Sequence, residues 1–344
     1  MKVYIETLGC PKNFNDSQMA AGILEKNNHM MVESPEAADA IIVNTCGFIN
    51  DAKTESIDRI FEMAQFKAEG KKLIVSGCLS QRYADELFEE MPEVDAFIGV
   101  NEYEQLPQLL DDLKERQIIR NGCDLDILES SVRKLDENPY TATIKIAEGC
   151  NNICAYCIIP KIRGKYRSKR EEDIIREAEM LAKAGCKELI LIAQDVTYYG
   201  KDLYGEYRLA QLLRKLCRIE GIVWIRLMYC YEDRITDELI ETIASEEKIC
   251  NYLDIPIQHA SNHVLKAMNR RSTAASIDQT VKNLKKSIPD IHIRTTLIVG
   301  FPGETEEDYE ELIDFVERER FARLGVFAYS QEENTAAGEM ENQI

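Results

Sequence analysis

Cys150, Cys154 and Cys157 stand in the run Glu148-Gly-Cys-Asn-Asn-Ile-Cys-Ala-Tyr-Cys, a CxxxCxxC directly after a short apolar stretch. Thiolates at this spacing can hold an iron–sulfur cube, and no fourth cysteine follows at ligand spacing. Four cysteines would close such a cluster and make it an electron carrier. Three leave one iron open to bind and activate a small molecule, so the triplet points to catalysis. Zinc is the rival reading. It usually takes four closed ligands, and His29, His259, His263 and His292 are all far from the triplet in sequence. Three buried thiols without a metal is the plainest alternative.

A second set is visible only once the elements are laid out. Cys10, Cys46 and Cys78 each follow a short apolar run, and each stands beside a glycine (Gly9, Gly47, Gly77). The runs Val3–Leu8, Ala40–Asn44, Lys72–Ser76 and Ala96–Val100 read as strands separated by amphipathic helices. Continuous apolar strands between helices imply a parallel sheet covered on both faces, and right-handed crossovers make it doubly wound. Strand exits in such a sheet line one crevice, so three cysteines 36 and 32 positions apart can meet there. They can form a second three-cysteine cluster. Ordinary burial is the alternative, because free cysteine packs as a small hydrophobe. Cys123, Cys186, Cys217, Cys230 and Cys250 share no pattern and read as core or incidental.

From Thr141 the alternation resumes on a longer scale. Strands are expected near 141–146, 188–192, 223–228, 252–255, 291–299 and 323–328, with helices between them. Six βα units suggest an incomplete barrel, a partial (β/α)6, whose chemistry belongs at the C-terminal ends of the strands. The expected division is therefore 1–116 for the doubly wound domain, 117–139 for a linker, 140–330 for the barrel and 331–344 for an acidic tail that frays. Gln194 and Asp195 fall at one barrel exit, and His259 follows Asp254-Ile-Pro-Ile-Gln at another. The histidine reads best as a hydrogen-bonded loop residue. Ile298-Val-Gly-Phe-Pro-Gly303 ends a strand and opens a helix. Its glycines either let a nucleoside lie against the backbone or only form a tight turn.

The bulk of the chain sets limits on this chemistry. Its 344 residues suit two domains, and 45% hydrophobic content supplies a sizeable core. The start reads as a strand without the features of a signal peptide, and no stretch approaches a membrane span. Eleven cysteines without regular spacing fit metal ligands or core residues in a reducing cytosol better than disulfides, so a cytoplasmic location is expected. The formal net charge is −19, with 22 acidic against 10 basic side chains over residues 1–115 and 13 against 3 over 304–344. That balance disfavours nucleic acid and favours a basic partner. One basic island, Lys161, Arg163, Lys165, Arg167, Lys169 and Arg170, is the argument for RNA.

These residues resemble the radical S-adenosylmethionine superfamily, whose cluster motif is CxxxC-x-aromatic-C, with Tyr156 as the aromatic here. Over nearly the whole chain, Thr7-Leu-Gly-Cys-Pro-Lys-Asn13, Asn44-Thr-Cys-Gly-Phe48, Ser76-Gly-Cys78 and Pro160-Lys-Ile-Arg-Gly-Lys-Tyr-Arg-Ser168 look like the methylthiotransferases. Gly-Cys-Pro-Lys-Asn, Ala193-Gln-Asp-Val-Thr and Asp254-Ile-Pro-Ile-Gln-His259 look most like the RimO type, which modifies an aspartate β-carbon in a small-subunit ribosomal protein. The tRNA-modifying types are similar in architecture and usually differ at the Pro-Lys-Asn position.

The resemblance implies two 4Fe–4S clusters and S-adenosylmethionine. Cys150, Cys154 and Cys157 would hold the radical-generating cluster, with Tyr156, Gln194, Gly300 and Gly303 at the S-adenosylmethionine site. Cys10, Cys46 and Cys78 would hold a sulfur-carrying cluster. It also implies a basic ribosomal protein as substrate and an electron donor of flavodoxin or ferredoxin type. Family members usually continue into a C-terminal TRAM β-barrel, and no strand-rich segment follows the radical domain here, so either a truncated chain with an acidic tail over 331–344 or incomplete substrate binding is expected. The two other readings of the sequence are methylthiolation of a tRNA adenosine and a non-enzymatic iron–sulfur or zinc protein.

Overall fold

A computed structural model describes residues 1–120, 133–135 and 139–344. The chain forms two compact units. Residues 1–137 together with 161–165 make the first, and residues 138–160 together with 166–344 make the second.

The first unit is a sheet of six parallel strands. In chain order these are β1 (Lys2–Thr7), β2 (Met30–Met31), β3 (Ala40–Thr45), β4 (Lys72–Gly77), β5 (Ala96–Ile98) and β6 (Gln117–Ile119), arranged β2-β1-β3-β4-β5-β6. Helices α1 (Pro11–Lys26), α2 (Asn50–Ala64), α3 (Cys78–Glu90) and α4 (Leu106–Asp112) connect them. Successive side chains of a strand point to opposite faces, so an all-apolar strand needs cover on both. Ile41, Val43, Leu73, Val75 and Phe97 pack with Ile60, Met63, Leu79 and Leu87 of α2 and α3. Val3, Ile42, Ile74 and Ile98 pack with Leu24, Leu106, Leu109 and Leu110 of α1 and α4. The strand order turns back between β1 and β3, which opens a crevice at their C-terminal ends.

The unit runs beyond residue 116. β6 pairs with β5 inside the stretch expected to be a linker, because three residues are too few to display a period. Further along that stretch, the Lys134 amide donates to the Gln18 carbonyl at 3.0 Å. Cys123 and most of the expected linker lie outside the described residues.

Gly77 closes β4 at φ +92°, in the left-handed region, and a Cβ there would strike the Asn44 side chain and the Thr45 backbone. Gly77→Ala should therefore destabilise the first unit by roughly 2–5 kcal/mol, combining backbone strain with overpacking. Denaturant midpoints of the two proteins check this, and equal midpoints would refute it.

The second unit contains six parallel strands in simple sequential order: β7 (Thr141–Lys145), β10 (Glu188–Ile192), β11 (Trp224–Leu227), β12 (Ile249–Asp254), β13 (His292–Val299) and β14 (Arg323–Ala328). β7 and β14 form the two edges, so this is an open, partial barrel. Its larger covering helices are α6 (Glu171–Lys183), α7 (Leu209–Leu216), α8 (Asp237–Ser245), α10 (Ala274–Ser287) and α11 (Glu306–Glu319). Ile174, Ala178 and Leu181 of α6, and Leu209, Leu212, Leu213 and Leu216 of α7, repeat at helical spacing and are buried. Thr236, Thr273 and Thr305 cap α8, α10 and α11 through their side chains, which fixes where each helix starts at a barrel strand's approach.

Four short elements of this unit escaped the sequence pattern. β8 (Ala147–Glu148) and β9 (Arg167–Ser168) pair antiparallel and so pin both ends of the cysteine loop, and α5 (Ile159–Arg163) lies within that loop. The fourth is α9 (Asn262–Ala267), which follows the β12 exit. No helix among the described residues is long and apolar enough to cross a membrane.

Candidate functional site

In the first unit, β1, β3 and β4 are neighbours, and Cys10, Cys46 and Cys78 stand one to three residues past their respective ends or at the next helix start. Cys10 is the N-cap of α1 and Cys78 the first residue of α3. Helix N-termini present unpaired N–H groups and a positive dipole end, a setting that favours thiolates. Cys46 and Cys78 are buried, at 9% and 6% exposure, and Cys10 is half-buried.

A Cβ on Gly9 would lie 2.7 Å from Cys46 Cβ, so the backbone next to Cys10 can lie against Cys46 only because that residue is glycine. Burial raises the Cys10 thiol, but Lys12, Arg163 and the backbone amides of Asn13 and Lys12 outweigh it and bring it below its ordinary value. Burial, reinforced by Cys78, pushes Cys46 up to about 11. Cys78 is raised by burial against the opposing Arg163 charge.

Asn13 ties the crevice together. Its side-chain amide donates to the carbonyls of Leu8 (3.0 Å) and Thr45 (2.9 Å), joining the exits of β1 and β3. Asn44 donates in turn to the Asn13 carbonyl and the Ser17 hydroxyl, each at 2.9 Å.

In the second unit, Gly149 turns the chain at φ +77° after β8 and delivers Cys150 to the C-terminal mouth of the barrel. Cys150 and Cys154 are each 7% exposed and Cys157 is half-buried. The Asn152 backbone amide lies 3.4 Å from Cys150 Sγ and its side-chain amide 3.5 Å. The Tyr231 hydroxyl lies 3.6 Å from Cys154 Sγ. Burial pushes Cys150 up to about 11, so it needs a bound cation to become a thiolate at neutral pH.

A buried network from three strand exits holds Asn152. Its side chain donates to Asp195 at 3.1 Å and accepts from Arg234 at 2.7 Å, and Arg234 also pairs with Asp195. Thr197 and the Tyr198 amide donate to the other Asp195 oxygen. Burial raises the Asp195 carboxyl, and Arg234 and these donors oppose the rise. Beside it, Glu232 accepts two bonds of 2.7 Å from Arg270, whose guanidinium stacks 4.6 Å from the Tyr231 ring. The sequence reading reached Asp195 by its position but not Asn152, Arg234, Glu232 or Arg270. They lie on separate loops with no shared spacing.

The residues expected around a small-molecule ligand divide into two groups. Gln194 donates to Glu148 at 2.9 Å, leaving its carbonyl oxygen buried without a hydrogen bond. Gln258 at the β12 exit has the same unfilled acceptor and a left-handed φ of +75°. Buried acceptors without partners cost about 1–3 kcal/mol each, so a ligand bearing N–H or O–H groups would repay both positions. Gly300, at φ +73°, has open space where a side chain would stand. Tyr156 packs half-buried against the cluster of Ala155, Val264, Met268, Phe301 and Ala337, joined by Ile298.

Gly303 differs from the expectation, because its amide donates to the Asn342 carbonyl at 2.9 Å and Asn342 covers the face a side chain would occupy. The tail responsible was expected to fray. It instead folds back, with Ala337 fully buried and donating to the Ala155 carbonyl at 2.8 Å inside the cysteine loop. Small residues such as Ala336, Ala337 and Gly338 carry little hydropathy signal yet fit where larger ones would not. His259 is fully buried, with Nδ1 accepting from the Ser261 amide at 3.0 Å, a structural placement.

The basic island is split: Lys161, Lys165 and Arg170 are exposed and Arg167 is half-buried, but the other two members are not at the surface. Lys169 is buried in an ion pair with Glu177 at 2.7 Å, and Arg163 is buried in one with Asp16 at 2.9 Å. These two charges look solvated in sequence and are turned inward because acidic partners, Asp16 and Glu177, stand there to meet them.

Among the described residues, no three His, Cys, Asp or Glu side chains are close enough to share a single metal ion. A four-iron cube takes each thiolate on a different iron, so it asks for wider spacing than zinc does. All ten described cysteines are free thiols.

Residues 2–99 match the uncharacterized protein family UPF0004, and residues 144–316 match the radical SAM superfamily. Solved structures that share the fold include the following two. The radical S-adenosylmethionine methyltransferase TsrM from Kitasatospora setae aligns over 94% of this chain and 72% of its own, with a TM-score of 0.66 and 13% identity. The cobalamin-dependent S-adenosylmethionine radical enzyme OxsB aligns over 98% and 54%, with a TM-score of 0.64 and 14% identity.

Much nearer in sequence are proteins named ribosomal protein uS12 methylthiotransferase RimO. That of Clostridioides difficile strain 630 is 50% identical, and that of Clostridium novyi strain NT is 52% identical, each over 100% of this chain and 78% of the relative. That of Geobacter sulfurreducens is 49% identical over the same shares. Identity at this level along the entire sequence, with the superfamily match lying on the open barrel, places the chain in the family of radical SAM ribosomal protein uS12 methylthiotransferases.

Proposed function

We propose that this protein methylthiolates the β-carbon of an aspartate in ribosomal protein uS12, using S-adenosylmethionine and two 4Fe–4S clusters. Cys150, Cys154 and Cys157 are the ligands of the radical-generating cluster, and Cys10, Cys46 and Cys78 are those of the sulfur-carrying one. The observation that carries this reading is the three-thiol loop at the mouth of an open parallel barrel, beside two buried, unfilled acceptors. An activated carbon–hydrogen bond would need only a base, but an aspartate β-carbon has no acid–base route at neutral pH. Bound in these loops, the clusters supply an open iron with an electron for cleaving S-adenosylmethionine, and the sulfur to be transferred.

The chain's own residues orient and enclose. Asn152, held by Asp195 and Arg234, directs N–H groups at Cys150, and Tyr231 directs its hydroxyl at Cys154. Such outer partners fix the direction of a thiolate and tune its basicity. Gln194 and Gln258 offer their free carbonyl oxygens to the ammonium or hydroxyl groups of S-adenosylmethionine. Tyr156, with Ile298 and Phe301, offers an apolar wall for the adenine beside the open space at Gly300. The folded-back tail closes the loop's outer side and keeps water from the reacting centre. Its acidic character suits a basic substrate, and free thiols suit a reducing cytosol with a flavodoxin- or ferredoxin-like electron donor.

Mass spectrometry of uS12 incubated anaerobically with the reconstituted protein, reductant and S-adenosylmethionine tests the reading. A single methylthio group replacing one hydrogen of one aspartate is expected. Unmodified uS12 beside a methylthiolated tRNA adenosine would replace this substrate with the RNA one.

A further inference from the structure

The chain leaves the second unit after Pro160 and re-enters it at Tyr166, and the five residues between, Lys161–Lys165, belong to the first unit. At the centre of those five is Arg163, a fully ionised side chain that is only 1% exposed. Its guanidinium makes at least three directed contacts. Nη1 donates to Asp16 Oδ2 at 2.9 Å, and Nη2 donates to Asn13 Oδ1 at 2.8 Å and to Cys78 Sγ at 3.3 Å. Asp16 is itself fully buried, and Asn13 is the residue that joins the exits of β1 and β3.

A buried guanidinium is costly unless each of its charges and donors is used. Asp16 accounts for the charge, and a carboxylate alone would have accepted both forks in the bidentate geometry that arginine favours. Here the second fork is spent on a thiol sulfur and on the amide that organises the crevice. Lysine could not make this arrangement, because its compact ammonium lacks a rigid planar fork.

We propose that Arg163 is a positioning residue for the Cys10–Cys46–Cys78 cluster: its guanidinium donates a charge-assisted hydrogen bond to the Cys78 thiolate and raises the reduction potential of that cluster. The inference rests on the reading that those cysteines hold a cluster. Hydrogen bonds to ligating sulfurs and nearby positive charge both favour the reduced, more negative state of an iron–sulfur centre. The donor comes from the same loop that carries Cys150, Cys154 and Cys157, so one continuous segment supplies ligands to one centre and tunes the other.

The test uses the full chain with Cys150, Cys154 and Cys157 all changed to Ala, reconstituted anaerobically. Iron and acid-labile sulfide are measured first, followed by the midpoint potential in a redox titration followed by electron paramagnetic resonance. Retained iron and sulfide are expected in this parent. An iron-free parent that still melts cooperatively would overturn the two-cluster reading itself. Adding Arg163→Gln, which keeps polarity and removes charge, should shift the midpoint to a more negative value at unchanged iron content. An unchanged midpoint with full iron would overturn the role of Arg163 and leave the cluster reading standing. If Arg163→Gln does not fold, Arg163→Lys is measured instead. It keeps the charge opposite Asp16 but lacks the second fork, so a smaller shift in the same direction is expected, and no shift overturns the inference.

Discussion

Cys154→Ala should abolish cleavage of S-adenosylmethionine to 5′-deoxyadenosine and methionine, whereas Cys46→Ala should leave cleavage intact and stop methylthio transfer. The first expectation follows from the three-ligand geometry. Cys154 is one of only three thiols in its loop, with no other cysteine, histidine or carboxylate positioned to share an ion with the remaining two among the described residues. Losing an outer partner of a metal ligand typically costs about 10–100-fold, so losing the ligand itself should exceed that range and fall to background.

The second expectation follows from where Cys46 stands. It lies in the other unit, at the β3 exit, and its backbone is held by Ser56 through bonds of 3.0 and 2.9 Å in the amide and carbonyl directions. Removing its sulfur should halve the iron content without touching the barrel loop. Anaerobic product analysis by liquid chromatography, paired with iron counts, reads both variants. Loss of cleavage in both would sink the division of labour between the two centres.

The parts of this protein that were legible in its sequence are those encoded by repetition. Ile41, Ile42 and Val43 can be read as a doubly covered strand because all three are apolar, and Leu209, Leu212, Leu213 and Leu216 as a helix face because of their spacing. The cysteine triplet was legible because its three members stand within eight residues of one another. Cys10, Cys46 and Cys78 became legible through topology, since equivalent positions after parallel strands are brought together whatever their separation along the chain.

What stayed hidden depends on pairings with no period. The burial of Arg163 is decided by Asp16, 147 residues away, and that of Arg270 by Glu232, 38 residues away. In sequence each is only a charge, and a charge reads as solvated until its partner is known. The tail was misread for the complementary reason. Its composition is acidic, but its contacts are made by Ala337 and by the backbone at Asn342, which carry no charge.

The Glu232–Arg270 pair gives the largest stability effect expected in the barrel. Both side chains are 2% exposed, and Arg270 donates to both carboxylate oxygens of Glu232 as well as to the Pro256 carbonyl at 3.2 Å. Arg270→Met keeps much of the volume and removes the charge, so Glu232 is left as a buried carboxylate whose remaining donor is Ser272. Breaking a buried pair in this way typically costs about 3–5 kcal/mol. Replacing both partners, Arg270→Met with Glu232→Leu, should recover most of that loss, because the penalty comes from the orphaned charge rather than from the missing attraction.

Denaturant midpoints of the single and double variants decide the point, and a double variant no more stable than the single would refute it. The two variants should also differ from wild type at the cysteine loop. The Arg270 guanidinium holds the Tyr231 ring from one side, while the Tyr231 hydroxyl lies on Cys154 Sγ at the other. Even the refolded double variant should therefore bind the cluster proposed for Cys150, Cys154 and Cys157 less tightly, read as faster iron loss to a chelator. Stability would be restored without restoring the thiolate's orientation, which separates the two tasks that one buried ion pair performs.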